Sequence, residues 1–284
     1  MIIPAPVIDD VWVLTSMQAA PGHGSLPVNA FLLREDPAVL IDTGLPADRD
    51  EFMEVLWSLV RPSELDVVFL THEDADHAGN LGPVLGAASQ ARLVTNYVTL
   101  SKLLERTTAP LERVQVVNPG SRVPGTHRPL TVVRPPVFDA PGTVGVHDAV
   151  TGAAFTADAF GTYLPEATGD LPAVSDDDLV SGLITFNAVN HPWTALVDPK
   201  RFGAAVDTVA DLEPTVLLSS HAPPARHATA LLIDTLRRVA PAADFDAPDQ
   251  EEFDRLRPLL RGSSISGEGQ PGGSPTDPTN GPDG

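Results

Sequence analysis

The amino-acid sequence predicts an α/β protein in which two β-sheets are covered by helices on their outer faces. The first observation is an alternation, because short apolar runs of strand length are separated by segments with the spacing of amphipathic helices. The second is that the later part of the chain follows the same order of strands and helices as the first part. The third is size, since 284 residues with a hydrophobic content of 42% can bury a large core.

Apolar runs bounded by turn residues predict the strands. The segment Asp-Val-Val-Phe-Leu at residues 66–70 is compact and typical of a buried strand. In chain order the predicted strands are residues 11–15, 28–33, 38–41, 66–70, 91–95 and 215–218, with a strand-rich stretch over residues 114–155.

Helical spacing of apolar residues predicts the outer layers. Phe52, Val55, Leu56 and Leu59 recur at this spacing within residues 49–60. The other predicted helices are residues 100–106, 177–189, 199–209 and 226–239, together with one that begins at His77.

The composition of the chain changes near residue 262. Residues 262–284 are mostly glycine, proline, serine, threonine and acidic residues, and Ile265 is their one aliphatic side chain. Such a segment buries too little apolar surface to offset its ordering entropy. We therefore expect one folded domain over residues 1–261, followed by a disordered acidic tail over residues 262–284.

Charge and cysteine content exclude several classes of function. A count of 18 Lys+Arg against 38 Asp+Glu gives a formal net charge of −20, which would repel nucleic acids and anionic membranes. The chain has no cysteine, so disulfides, thiolate metal sites and cysteine nucleophiles are excluded. We find no signal-peptide pattern and no apolar run of bilayer length, and expect a cytoplasmic protein without nucleic-acid or membrane partners.

One short segment carries the clearest chemical signal. His72, Asp74, Asp76 and His77 lie within six residues, directly after the predicted strand that leads to Thr71. Open α/β sheets commonly place their sites at the carboxyl ends of strands, and imidazole with carboxylate suits transition metals. The alternative for this segment alone is a solvated acidic loop with two incidental histidines.

Three further strand ends favour the metal site over that alternative. Apolar strands deliver Asp42, Asp158 and His221 in the segments Ile-Asp-Thr-Gly, Thr-Ala-Asp-Ala-Phe-Gly and Ser-Ser-His. Together with the first segment, four strands each end in a polar residue that can bind a metal or support a ligand.

These segments resemble the metallo-β-lactamase superfamily. His-Glu-Asp-Ala-Asp-His at residues 72–77 is similar to its signature His-x-His-x-Asp-His, and the other three segments follow in the family's order and spacing. The resemblance covers roughly residues 10–240. It implies an αββα four-layer sandwich, with two mixed sheets, outer helices and a dinuclear metal site at one edge of the sheets.

One branch of the superfamily is closer than the others. Asp74 replaces the middle histidine of the signature, and a carboxylate there resembles the diiron domain of flavodiiron proteins, whose pattern is His-x-Glu-x-Asp-His. The segment Asp-Ala-Phe-Gly at residues 158–161 and the strand at residues 24–34 are also similar to that branch. Asp139 fills the position of the family's isolated histidine, whereas His147 is not expected to coordinate.

The resemblance implies a specific ligand set. It places one metal on a first half-site (His72, Asp74 and Asp139), the other on a second half-site (Asp76, His77 and His221), and Asp158 between them as a bridge. Zinc favours sites rich in nitrogen and sulfur, so the oxygen-rich first half-site favours iron, with manganese or zinc as alternatives. We expect two metal ions and no flavin in this chain, which shows no flavodoxin domain.

Three further residues are candidates around the metals. The resemblance places Asp42 behind the ligand loop, where it would orient a ligand, although an aspartate that simply forms a turn is the alternative. His23, just before the predicted strand at residues 28–33, and His191, after the predicted helix at residues 177–189, are candidates for the wall of the pocket.

Three functions fit these observations. The first is a diiron oxidoreductase domain that binds or reduces O₂ or NO, with electrons from an external redox partner protein. The second is a metal-dependent hydrolase of esters, thioesters or lactones, in which metals activate water and stabilise the oxyanion. The third is an oxygen or redox sensor that binds its small-molecule ligand without turning it over.

Overall fold

The structure is a computed structural model that describes residues 1–106, 108–165, 174–239 and 247–262. The chain divides into two compact units, Met1–Ala247 and Pro248–Gly284. The first unit contains the two sheets and the helices that cover them. Among the described residues, none of the helices has the length and apolar character needed to cross a bilayer.

A seven-stranded mixed sheet is built in chain order. Its strands are β1 (Ile2–Ile8), β2 (Val11–Ala20), β3 (Gly24–Leu33), β4 (Ala38–Ile41), β5 (Leu65–Phe69), β6 (Arg92–Thr95) and β7 (Val114–Val116). Strands β1 to β4 pair antiparallel, and strands β4 to β7 pair parallel. The parallel half brings the carboxyl ends of β4 and β5 to the same edge of the sheet.

A four-stranded mixed sheet lies in the order β11-β10-β9-β8. Its strands are β8 (Leu130–Val133), β9 (Gly145–Asp148), β10 (Ala153–Phe155) and β11 (Val216–Leu218). Strands β10 and β11 pair parallel, and the other two pairs are antiparallel. The ends of β10 and β11 therefore also lie at one edge, next to each other.

The sheets pack face to face over the central core. Phe31 of β3 and Phe155 of β10 meet edge to face, with ring centroids 5.3 Å apart, and both belong to a buried cluster that draws on both sheets. Alternate residues of the same strands point the other way, as the period of two requires. On β4, for example, Ile41 joins this central cluster while Leu40 joins the cluster on the outer face.

Helices cover both outer faces. Phe52 and Leu56 of α1 and Val84 of α3 pack on the outer face of the first sheet, while Leu183 of α5 and Leu232 of α7 pack on that of the second. The helices of the first unit are α1 (Arg49–Leu59), α2 (Ala75–Ala78), α3 (Leu81–Ala87), α4 (Tyr97–Leu103), α5 (Asp176–Asn190), α6 (Pro199–Ala210) and α7 (Thr229–Val239). The predicted αββα four-layer sandwich is thereby confirmed.

Strand β1 is an element that the sequence analysis did not predict. It pairs with β2 at the edge of the large sheet, and it contains Pro4 and Pro6. Proline cannot donate to a ladder and is tolerated on edge strands, so these residues make the segment look unlike a strand. Strand β2 is also longer than predicted and runs to Ala20.

Three helices begin or end away from their predicted positions, and one of them is α7, which begins at Thr229 and not at the predicted residue 226. Helix α4 begins at Tyr97, three residues before the predicted start, because the side chain of Asn96 caps it by accepting from Val98 N at 2.9 Å. The single helix predicted from His77 is two short helices, α2 and α3.

The second unit contains one described helix, α8 (Gln250–Gly262). Asp249 supports its first turn, where the carboxylate accepts from Glu252 N at 2.9 Å. The predicted domain end at residue 261 stays a prediction, and the predicted disorder of residues 262–284 falls, beyond Gly262, outside the described residues.

Candidate metal centre

Asp42 connects the ends of β4 and β5 through hydrogen bonds. This residue follows β4 in the left-handed region (φ 59°) and is fully buried. Its carboxylate accepts hydrogen bonds from Thr71 N at 2.8 Å and Thr71 Oγ1 at 2.8 Å, and it faces His77 Nδ1 at 2.8 Å. Asp42 thus contacts Thr71 and His77 of the loop after β5, and its predicted role in orienting a ligand stays a prediction.

Each of the three clustered histidines is held through its Nδ1 atom. His77 Nδ1 faces Asp42, and His221 Nδ1 donates to the carbonyl oxygen of Pro27 at 2.9 Å. His72 Nδ1 lies 3.2 Å from Thr71 Oγ1. Partners at Nδ1 fix ring orientation and leave each Nε2 free to bind a metal ion.

Asp158 occupies the centre of the cluster. One carboxylate oxygen, Oδ1, lies 3.0 Å from His77 Nε2 and 3.2 Å from His221 Nε2. The other, Oδ2, lies 3.4 Å from His72 Nε2. A carboxylate whose two oxygens face different histidines has the position required of a bridge between two metals.

Three further aspartates complete the two groups around this centre. Asp76 Oδ2 lies 3.3 Å from His221 Nε2 and 3.6 Å from His77 Nε2. On the other side, His72 Nε2 lies 3.7 Å from Asp74 Oδ2 and 3.8 Å from Asp139 Oδ1. The structure thus brings all of the residues predicted as ligands into one cluster, and both predicted half-sites appear among its groups of closely spaced ligand atoms.

Unpartnered atoms in the cluster fit a metal ion. His72 Nε2, His77 Nε2 and Asp158 Oδ1 are buried and make no hydrogen bond within the described part of the chain. Buried polar atoms without partners are costly, and a cation between them would satisfy all three. The nitrogen and oxygen donors present are those that iron, manganese and zinc accept.

Without a metal, protons take the place of the cation. Burial would disfavour an imidazolium at His221, but the neighbouring carboxylates of Asp158 and Asp76 outweigh this and raise the pKa of His221 to about 10. Burial likewise opposes the charge of Asp158, yet the three histidines hold the pKa of that carboxyl well below its usual range. The metal-free cluster is thus a network of imidazolium and carboxylate ions.

The two half-sites differ in exposure. The side chains of His72, His77 and Asp158 are at most 5% exposed, whereas those of Asp74 and Asp139 are 42% and 34% exposed. Burial and the charge of Asp158 raise the pKa of Asp139 to about 6, so this carboxyl group protonates more readily than an ordinary aspartate does. Asp74 and Asp139 are thus the most exposed ligand candidates, followed by Asp76 of the second half-site at 27%.

An aromatic wall lies beside the second half-site. His23 stacks on Tyr163 with ring centroids 4.9 Å apart, and Tyr163 contacts Phe186 at 5.6 Å. Phe186 contacts both His221 at 5.4 Å and His191 at 5.8 Å. The two pocket candidates are thereby linked through this wall to a ligand candidate, and their role at the pocket stays a prediction. His147 lies on β9 and is absent from the ligand groups found among the described residues.

Sequence reasoning missed several residues that support the cluster. Asn29 of β3 donates to the carbonyl oxygens of Ser219 at 2.9 Å and Ala222 at 2.8 Å, which fixes the loop that carries His221. Lys102 Nζ pairs with the buried Glu73 at 3.0 Å, inside the ligand loop. A lone asparagine in an apolar strand was the available signal for Asn29, whereas nothing local indicated the partner of Glu73.

Fold and cluster together define the class of protein: an αββα sandwich with a candidate dinuclear metal centre at the edge of its sheets. The Metallo-beta-lactamase superfamily model matches residues 23–221, and the chain belongs to this superfamily.

Individual relatives come from one branch of it. A putative diflavin flavoprotein A 1 from Thermosynechococcus vestitus is 30% identical over 203 residues, which cover 70% of this chain and 34% of the relative. A mutant flavo di-iron protein from Thermotoga maritima has a similar structure, with a TM-score of 0.72 at 18% identity over 84% of this chain and 62% of its own. Rubredoxin oxygen:oxidoreductase from Desulfovibrio gigas also has a TM-score of 0.72, at 17% identity over 84% of this chain and 61% of its own. The chain thus spans only part of each of these proteins, namely the part with the metallo-β-lactamase fold.

Proposed function

We propose that this chain is a diiron oxidoreductase domain that binds or reduces O₂ or NO with electrons from an external partner protein. The observation that carries the proposal is the place of Asp158, whose two oxygens face His72 on one side and His77 and His221 on the other. The first half-site (His72, Asp74 and Asp139) would hold one iron, and the second half-site (Asp76, His77 and His221) the other.

The donor atoms support iron. Four carboxylates and three imidazoles surround the centre, and the first half-site offers a single nitrogen. Iron and manganese accept such oxygen-rich sites more readily than zinc does. The names of the similar proteins, a flavo di-iron protein and an oxygen oxidoreductase, support the same metal and one of the two substrates.

The chain's own residues would position the ligands and shape access. Asp42 accepts from the Nδ1 side of His77, which keeps Nε2 directed at the centre. Bound iron would supply the one-electron redox chemistry that carboxylates and imidazoles lack. Phe186 and the buried histidines limit water on the side of His221, while the exposed edge at Asp74 and Asp139 gives a small molecule or an electron donor access.

The test is consumption of substrate by the reduced protein. The chain is loaded with iron, reduced anaerobically, freed of reductant and mixed with O₂ or NO. We expect consumption of the gas together with oxidation of iron. Asp158→Asn should abolish both by removing the bridging charge, whereas His147→Asn, which alters a histidine outside the cluster, should leave both unchanged.

Two results would replace this proposal with its alternatives. Turnover of esters, thioesters or lactones by a zinc-loaded chain, lost in His77→Ala, would support the hydrolase. Reversible binding of O₂ or NO without consumption, even with a reductase present, would support the sensor.

A further inference from the structure

His191 has a hydrogen-bonding capacity that the structure does not satisfy. The residue is 0% exposed, and its Nε2 atom makes no hydrogen bond within the described part of the chain. Its Nδ1 atom, in contrast, faces Asn187 Oδ1 at 3.2 Å. A buried polar atom left without a partner carries a free-energy cost, so its partner needs to be identified.

The neighbours of His191 decide which of its nitrogens carries the proton. Asn187 Nδ2 donates to the carbonyl oxygen of Leu183 at 2.9 Å, and this fixes the amide with Oδ1 towards the imidazole. An amide oxygen only accepts, so His191 Nδ1 must carry the proton. Burial lowers the pKa of His191 to about 4, so at neutral pH the ring is uncharged and Nε2 presents a lone pair.

The ring lies close to the candidate metal centre. Phe186 contacts the rings of both His191 and His221, with centroids 5.8 Å and 5.4 Å away. After burial, the charges of Asp158, His221 and His72 have the largest effects on the pKa of His191.

The backbone of His191 is fixed as well. His191 N donates to Asn187 O at 2.8 Å, and Thr194 Oγ1 donates to His191 O at 2.8 Å. The ring is therefore held in place beside the metal ligands before any small molecule arrives.

We propose that His191 is a specificity-determining residue whose Nε2 accepts a hydrogen bond from a small molecule bound at the metal centre. A ligand with an N–H or O–H group satisfies this acceptor, whereas a ligand without hydrogen leaves it unpaired. The pocket therefore favours proton-bearing ligands. The inference rests on the proposed function for its metal centre alone, because O₂ and NO carry no hydrogen and would leave Nε2 of His191 unpaired until a proton-bearing ligand is bound.

Two probe ligands and three variants test the inference. Cobalt(II) is used as a spectroscopic substitute, and dissociation constants are measured for hydrazine, which has N–H groups, and azide, which has none. His191→Met keeps the side-chain volume close to that of histidine and removes the acceptor, while His191→Gln keeps an acceptor oxygen. His147→Met is the control, because it replaces a histidine outside the cluster.

We expect His191→Met to weaken hydrazine binding roughly three- to tenfold, the worth of one hydrogen bond, with azide binding unchanged. His191→Gln should restore much of the hydrazine affinity, and the control should bind both ligands as the unaltered chain does. Equal losses for the two ligands in His191→Met, or no loss for either, would overturn the inference.

A measurement on the unaltered chain avoids any effect of the variants on folding. In the zinc-loaded protein, the ¹⁵N resonance of His191 Nε2 should move upfield when hydrazine is added and stay in place with azide. The same response to both ligands would contradict the role proposed for His191 but would leave the proposed metal centre intact. A chain that takes up no cobalt or zinc at all would overturn the proposed metal centre as well, so the two failures are distinguishable.

Discussion

Asp158 is the residue on which the account of the site depends most. It is almost fully buried, and its carboxylate faces all three clustered histidines. A buried carboxylate needs a nearby positive charge, and neutral imidazoles do not supply one. Protons on the histidines or metal ions between these groups provide that charge. The geometry at this residue thus explains why protons and metal should compete for the same atoms.

Asp42 offers a test of ligand support at the residue scale. Asp42→Asn keeps the shape of the side chain but removes the charge that His77 Nδ1 faces. Because losing such a supporting partner typically costs 10- to 100-fold in affinity, we expect metal binding at the second half-site to weaken by about that factor. Metal titration of the variant measures it.

The matched control for this experiment is Asp207→Asn, which alters an exposed ion pair with Arg237 between helices α6 and α7. Equal metal affinity in the two variants would show that Asp42 only forms a turn, the alternative left open by the sequence.

The pKa values predict that metal uptake depends on pH. In the metal-free chain the pKa of His221 is about 10, so at neutral pH its ring carries a second proton that a metal must displace. Between pH 6 and 8 we therefore expect protons to be released on binding and metal affinity to rise with pH. Calorimetry in buffers of different ionisation enthalpy counts these protons, and a count of zero would contradict the ion network described here.

At the scale of elements, the turn after β4 and the ligand loop after β5 are packed backbone against backbone. Gly79 N donates to Gly44 O at 3.1 Å, and a Cβ at Gly79 would collide with Gly44 O and with Pro46. This close approach lets the turn that carries Asp42 reach His77, so glycine at position 79 is a requirement of the site.

Two glycine substitutions separate this packing from ordinary helix propensity. Gly79→Ala forces the two loops apart, and we expect a loss of about 1–3 kcal/mol in the free energy of unfolding. Gly82→Ala in α3 meets nothing within 4 Å, so the better helix propensity of alanine should stabilise the protein by up to about 1 kcal/mol. Urea unfolding measures both, and a tolerated Gly79→Ala would refute the close approach.

The helices, strands and loops also differ in how well the sequence alone predicts them. The ligand loop was predictable because four of its ligand candidates lie together after an apolar strand, where the chain itself places them. Partners distant in sequence were not: the contact of Phe186 with His221 depends on how α5 packs, and the support of His221 by Pro27 depends on a strand of the other sheet. Edge strand β1 was not predicted, because prolines are unusual in strands and two of them lie in this segment.

At the scale of the whole molecule, parallel pairing in each sheet produces the site. Strands β4 and β5 deliver Asp42 and the ligand loop, while β10 and β11 deliver Asp158 and His221. Packing the sheets face to face brings these ends together, so the candidate metal centre contains residues from both sheets. Binding of metal should accordingly stabilise the whole first unit.

Removal of metal is therefore expected to lower the melting temperature. A metal that binds only the folded chain adds about 2.7 kcal/mol when its free concentration is 100 times Kd. Without it, the carboxylates Asp74, Asp76, Asp139 and Asp158 remain close together. Calorimetric scans before and after chelation measure the difference, and Asp158→Asn should show a smaller one. Identical melting temperatures with and without metal would contradict the expected coupling.

The central proposal is that this chain would hold two iron ions, with Asp158 as a ligand shared between them. Its most direct test is the metal content of protein purified anaerobically from cells supplied with iron, manganese and zinc together. The account predicts two iron ions per chain, reduced to one or none in Asp158→Asn. Zinc without iron, or a full complement of iron in the Asp158→Asn variant, would contradict it.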